Sequence, residues 1–168
     1  GNEGPRSFGG IIARLVNARS GARANLVAYS NVGVAVQNVI GGQTDAVVAD
    51  VASTAQLVRQ GRLRMLAVTT GKRIPAWAQV PALAEVIPGF DMSGWFTLVA
   101  PTGTPATAIA RMHKEVNTLL ADKDMADRIL TVGPIAEPLA SPDAVAQFLK
   151  DEHQRWGAAA KEIGLLPE

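Results

Sequence analysis

The chain has 168 residues, of which 48% are hydrophobic and 18% are charged, and this composition predicts a globular protein and excludes a disordered one. The 16 basic and 15 acidic residues leave a formal net charge of +1, which gives no reason to expect the clustered Lys and Arg of a nucleic-acid-binding surface. No cysteine is present, so disulfides, thiolate catalysis and cysteine-bound zinc are excluded. No apolar run approaches the roughly 18 residues of a membrane span, and the polar start Gly-Asn-Glu predicts no signal peptide in this chain.

The first part of the chain alternates predicted helices with short apolar strands. Ser7 is placed as the N-cap of a helix that ends at Gly21. Residues 24–29 form a predicted strand, and residues 32–40 form a helix that stops at a pair of glycines.

The next apolar run, residues 45–50, is continuous, as expected for a strand covered on both faces. A predicted helix follows, capped by Ser53 or Thr54 and ended by Gly61. Two further strands are predicted, over residues 63–70 and 94–101.

Helices dominate the remainder of the chain. Thr104 is predicted as an N-cap with Pro105 at the first position of a helix that runs through Leu120. The later predicted elements are a helix over about 125–130, a short strand over 135–139 and a helix opened by Ser141-Pro142-Asp143 that reaches about Ile163.

The order β-α-β-α-β with short connections predicts an α/β protein in which helices cover both faces of a parallel sheet. The boundary between this compact lobe and the helix-rich tail is expected near residues 88–94.

No catalytic residue, metal site or cofactor site is predicted. The chain lacks the G-x-S-x-G, phosphate-loop and G-x-G-x-x-G motifs. His113 and His153 lie in predicted helices among charged neighbours, where a surface position is the ordinary expectation, and neither has a second histidine within one helical turn. We therefore expect a binding protein rather than an enzyme.

Two predicted helix starts are the candidate binding features. A helix N-terminus presents unpaired N–H groups and partial positive charge, so it can hold a carboxylate or a phosphate. Asp50 ends the neighbouring strand, and a parallel sheet would bring it to the same rim. An ordinary N-cap explains Ser7 and Asn31 equally well. The residues predicted to contact a ligand are Ser7, Ser30, Asn31, Val32, Gly33 and Asp50.

Several segments together resemble one known family. These are "GGQTDAVVADVASTAQLVRQGRLRMLAVTTGKR", "VPALAEVIPGF", "WFTLVAPTGTP" and "RWGAAAKEIG". They are similar to the tripartite tricarboxylate transporter substrate-binding proteins, the Bug (TctC-like) family, and the similarity extends over essentially the whole chain.

The resemblance implies a type II periplasmic-binding-protein fold of two α/β lobes. Residues 1–93 would form a nearly complete second lobe, and residues 94–168 the C-terminal, returning part of the first. It also implies a periplasmic receptor that captures a small carboxylate or amino acid and delivers it to membrane permease subunits. The alternative is the ligand-sensing effector domain of a regulatory or signalling protein.

The chain departs from the family pattern in two ways. At the second helix start, Ser30 replaces a usual Lys or Arg, Asn31 a Gly, and Val32 a hydroxyl residue, so we expect backbone N–H groups to hold the ligand. The chain is also shorter than family members and encodes half of the cleft. An uncovered apolar strand at 94–101 then predicts a homodimer or an exchange of elements between copies.

Overall fold

The computed structural model describes residues 1–165, and every side chain among them except that of residue 132. The helices of this part are α1 Phe8–Ser20, α2 Val32–Ile40, α3 Val51–Arg59, α4 Ala106–Ala121, α5 Lys123–Val132 and α6 Pro142–Glu162. Short 3-10 turns occupy Pro75–Trp77 and Leu83–Glu85. The chain packs as two compact units: unit 1 is Gly1–Gly94 with the chain from Ala158 onward, and unit 2 is Trp95–Gly157.

Helix α1 begins and ends where its sequence predicts. Ser7 has an extended backbone, and its hydroxyl accepts the N–H of Gly10. Gly21 has φ 72°, a left-handed conformation that costs glycine nothing and a side-chain-bearing residue more. Helix α2 likewise matches its predicted range and is capped by Asn31.

Helix α3 is capped by Asp50, so the prediction of Ser53 or Thr54 is wrong. The Oδ1 atom of Asp50 accepts the N–H of Ser53 at 2.8 Å. The hydroxyls of Ser53 and Thr54 both donate to the Asp50 carbonyl oxygen instead, at 3.0 and 2.9 Å. A carboxylate three residues ahead of an amide reaches it readily, which is the geometry that N-caps favour.

Helix α4 begins one residue later than predicted. Pro105 occupies the N-cap position and offers no side-chain hydrogen bond. The Thr104 hydroxyl donates to the Pro101 carbonyl oxygen at 2.8 Å, so it stabilises the preceding turn and does not cap the helix.

The strand predictions are wrong in detail, because no β-ladder forms in residues 1–165. The segments concerned are residues 24–29, 45–50, 63–70, 94–101 and 135–139. Two isolated parallel bridges remain, between Asn2 and Ala28 and between Val68 and Ala82. A ladder requires consecutive bonded pairs on both segments, whereas among the described residues Asn2 alone exchanges backbone hydrogen bonds with segment 27–29.

Unit 1 has a well-formed apolar core. Ile12 and Leu15 of α1 and Phe90 are fully buried. A second cluster gathers the buried residues Ala55, Val68, Ile74, Trp77, Val80 and Ala82. Burial of each large apolar side chain contributes about 1.5–3 kcal/mol to the stability of the fold. These residues therefore stabilise the unit in which α1, α2 and α3 begin.

Unit 2 is centred on a polar cluster. Among its described side chains, only Glu152 is buried. The Oε2 atom of Glu152 accepts the indole N–H of Trp95 at 2.8 Å and that of Trp156 at 3.1 Å, and Arg155 forms an ion pair with the other oxygen. The Trp95 ring also packs edge-on against Phe148, with centroids 5.6 Å apart.

Candidate functional site

Three helices of unit 1 begin at the same edge of three short, parallel backbone segments. The Asn2 N–H donates to Val27 and the Tyr29 N–H donates to Asn2, while the Val48 N–H donates to Gly1. These bonds align segments 1–2, 27–29 and 46–48 in parallel. Each segment leads into a helix, so α1, α2 and α3 all begin at the carboxyl edge, where ligands of open α/β folds collect.

At the start of α1, the hydroxyl of Ser7 already makes two hydrogen bonds to backbone groups of the protein. It accepts the N–H of Gly10 at 3.0 Å and donates to the Gly4 carbonyl oxygen at 2.8 Å. A Cβ atom on Gly10 would lie 1.9 Å from that same carbonyl oxygen, so only glycine fits there. The predicted contact residue Ser7 therefore holds the loop against the helix.

The start of α2 leaves donors available. The Oδ1 atom of Asn31 accepts the N–H of Val34 at 3.0 Å, which satisfies one of the first amides. The N–H groups of Val32 and Gly33 make no hydrogen bond to any residue in the described range 1–165. Gly33 and Ser30 are exposed, so this start combines two unpaired donors with an accessible hydroxyl, as an anion requires.

The start of α3 is already occupied by a negative charge. Both carboxylate oxygens of Asp50 bind Ser53, one through its N–H and one through its hydroxyl, each at 2.8 Å. Asp50 thus neutralises the positive end of its own helix. Asp50 was predicted as the end of a strand over 45–50; that strand does not form, and the carboxylate acts as the cap of α3.

Asn2 belongs to the site region although it was not predicted there. This side chain is 3% exposed, and its Oδ1 atom accepts the N–H of Gly4 at 2.8 Å. This bond stabilises the turn that precedes Ser7 at the carboxyl edge. The signal was present as Asn-x-Gly, because an asparagine side chain commonly bonds the backbone two residues on.

The two histidines belong to unit 2. His113 is only partly exposed, with its Nε2 atom 2.9 Å from the Leu139 carbonyl oxygen. The expectation of a plain surface position is therefore wrong for His113, whereas His153 is exposed.

Within residues 1–165 no cluster of three or more His, Asp or Glu side chains could hold a metal ion. No helix of the same range has both the length and the apolar character needed to cross a membrane.

Comparison with known proteins identifies the class. Residues 5–165 match the family described as the tripartite tricarboxylate transporter family receptor. The chain belongs to this family, as its sequence motifs predicted.

Relatives and solved structures agree with that assignment. The protein BugT of Bordetella pertussis is 32% identical over 156 residues, which cover 92% of this chain and 47% of BugT. A protein of R. palustris solved with adipate is 27% identical, with a TM-score of 0.87 over 99% of this chain and 56% of that one. MatC of Rhodopseudomonas palustris, solved with bound malate, is 26% identical, with a TM-score of 0.76 over 91% of this chain and 53% of MatC.

The chain therefore spans about half the length of the relatives it matches. The structural matches support the predicted α/β binding-protein fold, although the predicted sheet is reduced here to isolated bridges. The family is one of solute-binding receptors, which agrees with the expectation of a binding protein.

Proposed function

We propose that this chain contributes one wall of the ligand site in an extracytoplasmic receptor for small carboxylates. The observation that carries the proposal is the start of α2, where the N–H groups of Val32 and Gly33 lack partners among residues 1–165. Adipate and malate are the ligands in the two solved relatives, and both are dicarboxylates that a helix N-terminus could bind.

Each predicted residue has a distinct part in this proposal. Val32 and Gly33 donate their N–H groups to a carboxylate oxygen, and the exposed hydroxyl of Ser30 adds a third donor. Asn31 and Ser7 keep the two helix starts in place through their capping bonds. Asp50 brings negative charge to the same edge, so it would repel a second ligand carboxylate placed beside it.

The wider biological role follows from the family. A receptor of this class would work in the periplasm and deliver its ligand to membrane permease subunits of a tripartite transporter. The family match favours this role over the alternative of a regulatory effector domain. Residues 1–93 would be the second lobe and residues 94–168 a part of the first, and an added half of the fold would close the cleft.

A substitution at the first position of α2 tests the proposal. Val32→Pro removes one donor N–H, and proline is well tolerated at this position because that amide is unpaired within the helix anyway. The extended backbone of Asn31, with φ −160° and ψ 165°, is also what a following proline prefers. Loss of a hydrogen bond to a charged group costs about 1.5–3 kcal/mol, so adipate or malate affinity should fall by about tenfold or more.

Lys123→Pro is the matched control, because it places proline at the first position of α5 in unit 2. Calorimetric titration of the unsubstituted protein and both variants, with each dicarboxylate, compares the affinities. Equal affinities in the Val32→Pro variant and the unsubstituted protein would contradict the assignment of this helix start. No binding of any di- or tricarboxylate would contradict the proposed function itself.

A further inference from the structure

A second candidate site lies at the opposite end of α3, away from the carboxyl edge. A groove of about 410 Å³ is lined there by Val58, Gly61, Leu63, Arg64, Met65, Trp77, Gln79, Val80 and Pro81. Most of its lining residues are apolar, and they include Trp77 and Met65. Such surfaces accept flat or branched apolar groups.

Trp77 is the unusual member of this lining. It is 6% exposed, yet its indole N–H makes no hydrogen bond to any described residue. A buried donor without a partner costs about 1–3 kcal/mol. The two other tryptophans of the chain, Trp95 and Trp156, both donate to Glu152, so Trp77 alone lacks the acceptor that buried indoles ordinarily have.

The stretch of sequence that contains the groove residues is basic. No Asp or Glu occurs between Asp50 and Glu85, whereas five basic residues do. Arg73 is neutralised by Glu85, with a distance of 2.7 Å between the charged atoms. The basic residues of this stretch are Arg59, Arg62, Arg64, Lys72 and Arg73.

Arg62 and Arg64 differ from Arg59 and Arg73 in having no ion-pair or ring contact with another described residue. Arg59 lies over the Trp77 ring, 5.4 Å from its centroid, and in the last turn of α3 it complements the negative end of the helix. Arg62 and Arg64 are exposed and form no ion pair with any residue in the described range. Arg64 itself lines the groove, so its guanidinium is the natural partner for a bound anion.

We propose that this groove binds an amphipathic monocarboxylate, with its apolar body against Trp77 and Met65 and its carboxylate at Arg64. Charge complementarity selects the occupant, because Arg64, which lines the groove and forms no ion pair with another described residue, favours an anion over a neutral ligand of the same shape. This site is separate from the α2 start and does not depend on the proposed receptor function.

The indole N–H signals of the three tryptophans provide a direct test. Phenylacetate is titrated into the ¹⁵N-labelled protein, with its neutral amide, phenylacetamide, as the matched ligand. We expect the Trp77 indole signal to shift saturably with phenylacetate, and the Trp95 and Trp156 signals to stay in place. The amide should bind more weakly by about tenfold, the value of one charge-assisted hydrogen bond.

Arg64→Gln should weaken phenylacetate binding by about the same factor, whereas Arg128→Gln, which removes an exposed charge in unit 2, should leave it unchanged. A Trp77 signal that does not shift, equal affinity for acid and amide, or an unchanged affinity in Arg64→Gln would each overturn the proposal. Shifts confined to the amides of Val32 and Gly33 would also overturn it while leaving the proposed function intact.

Discussion

Units 1 and 2 both carry apolar sequence, but they bury it to very different extents. Phe90 in unit 1 is 0% exposed, whereas Phe96 in unit 2 is 94% exposed. Leu98 and Val99 beside Phe96 are exposed at 67% and 79%, and residues 96–100 form no backbone hydrogen bond with another described residue. Unit 1 thus buries its large apolar side chains in a core, whereas the apolar side chains of Phe96, Leu98 and Val99 in unit 2 are exposed.

The largest expected effect separates the two phenylalanines. Phe90→Ala removes a fully buried ring and should lower the free energy of unfolding by about 3–5 kcal/mol. Phe96→Ala removes an exposed ring and should change it by less than about 0.5 kcal/mol. Urea unfolding followed by circular dichroism measures both variants.

A large loss of unfolding free energy in the Phe96→Ala variant would contradict the contrast between a buried Phe90 and an exposed Phe96. It would mean that the segment is covered in solution, as the predicted homodimer or exchange of elements requires. Light scattering on the same sample then distinguishes these cases, because a covering copy doubles the mass.

Disruption of the polar cluster in unit 2 should have the second-largest effect on stability. Glu152→Ala removes the carboxylate that accepts the indole N–H groups of Trp95 and Trp156, and loss of a hydrogen bond to a charged group costs about 1.5–3 kcal/mol. We expect faster hydrogen exchange along α6 in this variant. Glu115→Ala, an exposed position on α4, is the control and should leave the exchange rates as they are.

Removal of a helix cap should lower stability by the same amount in both units, because a cap is a local interaction. Asp50 caps α3 in unit 1 and Asp122 caps α5 in unit 2, through bonds of 2.8 and 2.9 Å to the third amide. Each Asp→Ala variant should lose about 1 kcal/mol. Thermal unfolding of the two variants measures this, and a markedly larger loss at Asp50 would indicate a role beyond capping.

The smallest effect concerns the exposed ion pair of Arg73 and Glu85. The Arg73 guanidinium, together with the Ala82 N–H, lowers the pKa of Glu85 from 4.5 to about 2. A depressed carboxyl pKa stabilises the fold above pH 4.5, and this contribution is lost as the pH falls from 4.5 toward 2. The melting temperature of Glu85→Gln should therefore lie slightly below that of the unsubstituted protein at pH 7, and the gap should close as the pH approaches 2.

The helices were predictable from sequence because their ends are set locally. Ser7, Gly21 and Asn31 act within a few residues of themselves, and α1 and α2 match their predicted ranges. The strands were not, because a ladder depends on a distant neighbour: Ala28 pairs only with Asn2. At the candidate site, the sequence located the starts of α1 and α2. The bonds of Asp50 to Ser53 and of Asn2 to Gly4 are equally local, but they were not predicted, because Ser53 or Thr54 was predicted as the cap instead and the Asn-x-Gly signal was overlooked.

The central claim is that a ligand carboxylate binds the unpaired N–H groups at the start of α2. Titration of adipate into the ¹⁵N-labelled protein, with the amide signals of Val32 and Gly33 observed directly, is the most direct measurement. We expect both signals to shift downfield and to saturate together, as N–H groups do when they donate to a carboxylate. Saturable binding of adipate that leaves both signals unmoved would contradict the claim.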